Sequence, residues 1–131
     1  MARILIVDDS TVMRKNLYVI FTENGHEVVG EAMDGKQAIA LYSELKPDLV
    51  TMDITMPKIS GVEAVDFIVK KDQNAKIIMI SALNQKQMVF EALKNGAKHY
   101  IIKPIDPIKL LGIVNEVLDQ NKKPELLRES K

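Results

Sequence analysis

The 131-residue sequence contains no cysteine and no excess of either charge. The absence of cysteine excludes thiolate metal sites, thiol catalysis and a disulfide-linked secreted framework, and it fits a reducing compartment. The 18 basic and 18 acidic side chains cancel, so the basic surface typical of nucleic-acid binders is not expected. No apolar run has the length of a signal peptide or a membrane span. We therefore expect one cytoplasmic domain that contacts neither membrane nor nucleic acid directly.

Short apolar runs alternate with segments of helical period along the chain. The runs are rich in Ile and Val and continuous, which is typical of strands covered on both faces. They lie at residues 4–7, 28–29, 49–52, 77–80 and 100–102. Five strands alternating with five helices predict a single α/β domain with a parallel sheet. We assign it residues 1–120. Residues 121–131 are a charged tail, for which a frayed end, a further helical turn and a cut linker remain open.

Helix boundaries are predicted from residues that stabilise helix ends. Five residues have side chains suited to an N-cap, namely Ser10, Asp34, Ser60, Asn84 and Asp106. Gly25 and Gly96, each preceded by Asn, are expected to end helices in the left-handed conformation. Phe67 and Phe90 fall within helical segments, and we expect both in the core.

Polar or charged residues follow four of the five predicted strands, namely Asp8 and Asp9, Asp53, Ser81, and Lys103. Ligands of open parallel sheets bind beyond the carboxyl ends of the strands, so these side chains should converge. Two carboxylates about 4 Å apart repel by about 4 kcal/mol at an effective dielectric near 20, and one lysine is insufficient to offset three of them. Carboxylates without nearby His or Cys favour Mg2+, or Mn2+, over zinc. The predicted site suits phosphoryl chemistry on a carboxylate.

The motifs around these residues resemble those of response-regulator receiver domains. The similar segments are residues 6–10, 52–57 with Gly61, 80–82 and 100–104. They occur in family order over residues 1 to about 120, and the stretch 50–57 particularly resembles chemotaxis regulators of the CheY type. The resemblance implies a doubly wound, flavodoxin-like (βα)5 fold with strand order 2-1-3-4-5. It also implies a cis peptide bond before Pro104.

The resemblance implies roles for the acidic residues. Asp53 would accept a phosphoryl group from a histidine kinase. Asp8 and Asp9 would bind Mg2+, with Asp53 itself and the backbone carbonyl of Thr55 completing the protein ligands. The domain would be a phosphoacceptor that catalyses its own phosphorylation and dephosphorylation, and not an enzyme acting on a separate substrate.

Three further residues take their roles from the same resemblance. Lys103 would pair with the phosphoryl oxygens, and Ser81 would hydrogen-bond to one of them. Tyr100 would change rotamer as Ser81 moves. The family often has Thr at the position of Ser81; the hydroxyl is kept, but the loss of a methyl group is expected to alter the kinetics of the switch.

The function expected from these features is that of a stand-alone phosphoaspartate switch in a two-component system of chemotaxis type. Its partners would be a histidine kinase and a downstream protein, either of flagellar-switch type or a phosphotransfer protein, and it would be a monomer or a phosphorylation-induced dimer. A phosphorelay intermediate and a truncated transcription regulator are alternatives. A phosphohydrolase is disfavoured because the chain has no room for a cap. A flavin binder is disfavoured because Asp8 and Asp9 would repel a phosphate.

The fifth helix carries an apolar arc of about 160° between residues 110 and 118, wider than one sheet face should cover. The resemblance supports an output surface formed by helix four, strand five and helix five. We therefore expect Ile113 to join Val89 or Leu93 and the rim of Tyr100 in an exposed apolar patch. The alternative is a broader core contact, closed by Leu126 and Leu127 of the tail.

Overall fold

The structure is a computed structural model that describes residues 1–119. Five strands alternate with five helices in the order β1 (Arg3–Val7), α1 (Thr11–Thr22), β2 (Glu27–Ala32), α2 (Gly35–Leu45), β3 (Leu49–Asp53), α3 (Gly61–Lys71), β4 (Ile77–Ser81), α4 (Lys86–Lys94), β5 (His99–Ile102) and α5 (Pro107–Leu118). Within residues 1–119, no helix is long and apolar enough to cross a bilayer. The tail predicted at residues 121–131, with its two leucines, lies outside the described residues.

The strands form one parallel sheet in the order β2-β1-β3-β4-β5, as the resemblance implied. The chain winds outward from β1 in both directions, so the carboxyl ends of β1 and β3 border the crevice where the strand order reverses. The three inner strands are almost entirely buried, whereas the edge strands β2 and β5 are partly exposed. The edge strand β2 is also longer than its two-residue apolar run predicted.

Each face of the sheet is covered by its own group of helices. Leu5 and Val7 of β1 pack in a core cluster with residues of α2, α3 and α4. Ile4 and Ile6 point to the other face, where the core includes residues of α1 and α5. Successive side chains of a strand alternate between faces, and here both faces are covered. This explains why the apolar runs are continuous in the sequence.

Four of the five predicted N-caps are confirmed, since the side chains of Ser10, Asp34, Ser60 and Asp106 accept hydrogen bonds from backbone N–H groups of the first helical turn. The prediction for Asn84 is wrong. The N-cap of α4 is Gln85, and its side chain makes no capping hydrogen bond. Gly25 and Gly96 have the predicted left-handed backbone, with φ of 84° and 120°.

The two phenylalanines predicted in the core lie at the surface. Phe67 is 48% exposed and Phe90 is 64% exposed. In α3 the side chains of Val65 and Ile68 face the sheet, and Phe67 falls outside that stripe. Its ring instead packs beneath the ammonium group of Lys71, 5.1 Å from the ring centroid. Both residues belong to amphipathic helices, in which composition does not show how far the buried arc extends.

The predicted exposure of Ile113 is also wrong. Its side chain is only 8% exposed and packs in the core with Leu110, Val114 and Val117. The same cluster contains side chains of α1 as well as of the sheet, so the wide apolar arc of α5 belongs to a core that is not formed by the sheet face alone. The broader core contact is therefore the correct interpretation, and Ile113 does not contribute to an exposed patch.

Candidate functional site

Three carboxylates converge at the carboxyl edge of the sheet. Asp8 follows the last residue of β1, Asp9 follows it, and Asp53 is the last residue of β3. Each offers a carboxylate oxygen, and these oxygens lie within 4.8 Å of one another. Asp8 is fully buried and Asp53 is 5% exposed, whereas Asp9 is exposed. The predicted convergence of these residues is confirmed.

Lys103 is the cation that faces this acidic group. Its Nζ lies 3.5 Å from Asp53 Oδ1 and 3.7 Å from Asp8 Oδ2. Burial raises the pKa of Asp53 to about 6, the charge of Asp8 adds to this rise, and Lys103 opposes it. Burial also raises the pKa of Asp8, against the hydrogen bond from Ser10 and the charge of Lys103. One lysine therefore leaves the carboxylates only partly compensated.

The two oxygens of Asp8 differ in their hydrogen bonding. Asp8 Oδ1 accepts a hydrogen bond of 2.9 Å from the backbone N–H of Ser10. Asp8 Oδ2 is buried and has no hydrogen-bond partner, which is costly for a charged oxygen. A divalent cation would satisfy this oxygen, and an oxygen-only donor set suits Mg2+ or Mn2+. The residues present thus fit a magnesium ion, while the role of the Thr55 carbonyl remains a prediction.

Arg14 supports the site, although the sequence did not single it out. Its Nη1 donates a hydrogen bond of 2.7 Å to the backbone carbonyl of Asp8, and its Nε lies 3.2 Å from Glu31 Oε1. Glu31 at the end of β2, which had no role in the sequence interpretation, thereby positions Arg14. Arg14 lies four residues after the N-cap Ser10, on the first turn of α1. This spacing is the sequence feature from which its proximity to Asp8 could have been predicted.

Ser81 is the last residue of β4, which lies beside β3, and Lys103 directly follows β5, the edge strand beyond β4. Asp53 pairs with Ile80 in the sheet register, which places the buried Ser81 at the next position of β4. The backbone N–H of Lys103 donates a hydrogen bond of 2.8 Å to the carbonyl of Ser81. The peptide bond between Lys103 and Pro104 is cis, as predicted. Ser81 and Lys103 are therefore held at the same edge as the acidic residues.

An apolar groove adjoins Ser81 between α4 and β5. It has a volume of about 470 Å3, and its lining includes Ser81, Leu83, Val89, Phe90, Leu93 and Tyr100. Tyr100 is 39% exposed, and Leu83 and Phe90 are more exposed still. The predicted patch is thus partly correct, because Tyr100, Val89 and Leu93 meet here without Ile113. Phe90, expected in the core, takes the exposed apolar position.

Comparisons with known proteins show which family of proteins the chain resembles. The family model of the response regulator receiver domain matches residues 4–115. The chain is 52% identical to the chemotaxis protein CheY of Thermotoga maritima, covering 88% of this chain and 96% of that protein. It is 48% identical to CheY of Bacillus subtilis, with 89% and 98% covered. A solved CheX–CheY–BeF3–Mg2+ complex from Borrelia burgdorferi contains a similar chain, with a TM-score of 0.84, 44% identity and coverage of 88% and 87%.

Proposed function

The chain belongs to the response regulator receiver domain family, and on that premise we propose that it is a chemotaxis-type switch controlled by phosphorylation of Asp53. Residues 1–120 would be the receiver domain. The observation that carries the proposal is the buried acidic group, in which Asp8 Oδ2 has no hydrogen-bond partner and Asp53 lies within reach of Lys103. This arrangement suits a carboxylate that receives an anionic group in the presence of a cation.

Asp53 is the proposed nucleophile. One of its carboxylate oxygens bonds to the phosphorus of a phosphohistidine on a kinase, and the bond from phosphorus to the imidazole nitrogen breaks. Asp8, Asp9, Asp53 and the backbone carbonyl of Thr55 would bind Mg2+. When bound, this ion would neutralise charge on the phosphoryl oxygens. Water later cleaves the acyl phosphate and restores the carboxylate. The domain in this way catalyses its own phosphorylation and dephosphorylation.

Lys103 and Ser81 are the proposed partners of the phosphoryl oxygens. The ammonium group of Lys103 already lies 3.5 Å from Asp53 Oδ1, where it offsets added negative charge. Ser81 ends β4, next to the end of β3, and its hydroxyl would donate a hydrogen bond to a phosphoryl oxygen. Movement of Ser81 toward Asp53 opens space in the groove, into which the partly exposed Tyr100 can turn.

The groove between α4 and β5 is the proposed output surface. Its exposed apolar side chains, Leu83, Phe90 and Tyr100, would contact a downstream chemotaxis protein of flagellar-switch or phosphotransfer type. A histidine kinase would be the phosphoryl donor. The proposal is supported by the relatives named CheY and by the Borrelia burgdorferi complex, in which a related chain is assembled with CheX.

Mass spectrometry after treatment with acetyl phosphate and Mg2+ tests the phosphoacceptor. We expect one added phosphoryl group on the wild-type chain, and none after chelation with EDTA or in the Asp53→Asn variant. Asp66→Asn is the matched control, because Asp66 is a surface carboxylate paired with Lys70, and it should be phosphorylated normally. A full adduct on Asp53→Asn would contradict the assignment.

A further inference from the structure

We propose that Gln85 is a positioning residue of the switch, whose side chain holds the loops after β3 and β4 in their unphosphorylated arrangement. The inference rests on the proposed function of Asp53 as phosphoryl acceptor. It concerns a residue that no sequence motif singled out and that replaces the predicted Asn84 as the N-cap of α4.

The carboxamide of Gln85 bridges the two loops. Its Oε1 accepts a hydrogen bond of 2.7 Å from the backbone N–H of Ala82, in the loop after β4. Its Nε2 donates a hydrogen bond to Thr55 Oγ1, in the loop after β3. Among residues 1–119, the hydrogen bond between Gln85 and Thr55 is the one side-chain hydrogen bond that joins these two loops. The side chain of Gln85 therefore makes its hydrogen bonds to the loops and none to the N–H groups at the start of α4.

The bridge lies where the proposed switch must move. Asp53 at the end of β3 is paired with Ile80 of β4, so the loops that follow these two strands begin side by side. Gln85 contacts Thr55 in one loop and Ala82 in the other. Ala82 follows Ser81 directly, and their backbones must move together when Ser81 is drawn toward a phosphoryl group on Asp53. Such a displacement changes the position of the Ala82 N–H relative to Gln85 Oε1, with which it makes a hydrogen bond of 2.7 Å in the present arrangement.

The phosphorylated arrangement can therefore form only when the hydrogen bonds of Gln85 to its two partners weaken. A bond present in one state and absent in the other shifts the equilibrium by its net free energy. Net contributions of single hydrogen bonds correspond to factors of about 2 to 10 in an equilibrium constant. Gln85 should thus oppose the phosphorylated arrangement by a factor of this size, and its removal should favour that arrangement.

Beryllofluoride with Mg2+ is the probe, because it stands in for the phosphoryl group without undergoing hydrolysis. Its affinity is measured by calorimetry on the full chain, and amide hydrogen exchange at Ala82 is followed before it is added. Gln85→Ala should bind beryllofluoride about 2- to 10-fold more tightly than the wild-type chain, with faster exchange at Ala82. Gln87→Ala is the matched control, because Gln87 is an exposed residue of α4 two positions away, and it should change neither quantity.

Thr55→Val gives a second, independent measurement. It removes the side-chain acceptor of Gln85 while keeping the shape of the residue and its backbone carbonyl. It should raise the affinity in the same direction, and adding it to Gln85→Ala should produce no further gain, because both changes break one bridge. General damage to the fold would lower the affinity, so a gain separates the proposed role from a purely structural one.

The outcomes separate this inference from the proposed function. A wild-type chain that binds no beryllofluoride would refute the phosphoacceptor proposal and, with it, the role of Gln85. If the wild-type chain binds it while Gln85→Ala binds equally or more weakly, the phosphoacceptor stands and the inference about Gln85 is wrong. Should Gln85→Ala fail to fold, an unchanged affinity in Thr55→Val would overturn the inference in the same way.

Discussion

Charged groups at the amino edge of the sheet meet complementary partners, whereas the carboxyl edge gathers groups of like charge. At the amino edge, the backbone N–H of Arg3 donates to Asp48 Oδ2 at 2.8 Å. The guanidinium group of Arg3 donates to the carbonyls of Leu45 and Lys46, both at 2.9 Å. The backbone N–H of Ala2 donates to His26 Nδ1 at 3.0 Å. These contacts join β1 to neighbouring segments and stabilise the fold.

The carboxyl edge shows the opposite arrangement within the same sheet. Asp8 and Asp53 share Lys103, Asp9 adds a third carboxylate, and the pKa values of Asp8 and Asp53 are raised. The unfavourable free energy of this edge falls when a cation binds. The difference teaches that one edge contributes stability, while the other gives up stability to gather carboxylates that could hold a metal ion.

The largest expected effect comes from Gly61→Ala, which disturbs the backbone beneath Asp53. A Cβ at Gly61 would lie 2.0 Å from the carbonyl oxygen of Asp53 and 2.9 Å from Cα of Ile54. Backbone atoms of a buried strand end cannot move aside cheaply, so we expect a loss of about 3 kcal/mol or more in the free energy of unfolding. Urea denaturation measures it.

Gly112→Ala is the matched control for that substitution. Gly112 lies within α5, and a Cβ there would meet no atom within 4 Å. Alanine is favoured over glycine inside helices, so this variant should gain about 0.5–1 kcal/mol. A loss below about 1 kcal/mol in Gly61→Ala would show that the strand end is less rigid than the structure indicates.

A smaller and opposite effect is expected from Asp53→Asn in EDTA. The pKa of Asp53 is about 6 in the folded chain, against an ordinary value of 3.8. Because the folded state resists losing this proton, the wild-type chain loses stability as the pH rises from about 4 to about 6. The variant avoids this cost, and near pH 7.5 it should be more stable by about 1–3 kcal/mol.

Thermal and urea unfolding across this pH range measure the difference. Asp66→Asn is again the control, since exposed ion pairs contribute about 0–1 kcal/mol. Addition of Mg2+ should stabilise the wild-type chain more than Asp53→Asn. If Asp53→Asn is no more stable than the wild-type chain in EDTA, the carboxylates at this edge do not destabilise the fold.

The smallest effect is expected at the amino edge, and its pH dependence has the opposite direction. Burial and the positive N-terminus lower the pKa of His26 below its ordinary 6.5. The unfolded chain therefore takes up a proton on this histidine at a higher pH than the folded chain does. The stability that the neutral side chain of His26 contributes is lost as the pH falls through 6.5. Unfolding measured between pH 7.5 and pH 5.5 should show a weaker decline in His26→Gln.

His99→Gln is the control for the amino edge, because the sequence has two histidines and this variant leaves His26 in place. It should keep the part of the decline that His26→Gln removes. If His26→Gln and the wild-type chain show the same dependence of stability on pH, then His26 does not contribute to the pH dependence of folding.

The sequence predicted the inner strands and the convergence of the acidic residues with good accuracy, but it was less accurate for the helix surfaces. Asp53 and Ser81 follow continuous apolar runs that are typical of strands covered on both faces, so their convergence could be expected. Phe90 and Ile113 lie in helices whose buried arc depends on neighbouring helices, and both were assigned to the wrong environment. Gln85 was missed because its partners lie in other loops.

The order of the elements and the residues at the carboxyl edge were determined by the sequence itself. Local periodicity defines strands and helices, and parallel crossovers leave all strand ends of one kind at one edge. Only the tertiary structure decided which apolar side chains remain exposed, how Arg14 reaches Glu31, and how Gln85 joins two loops. These features depend on contacts between segments distant in the chain, whose spacing and angles local patterns do not contain.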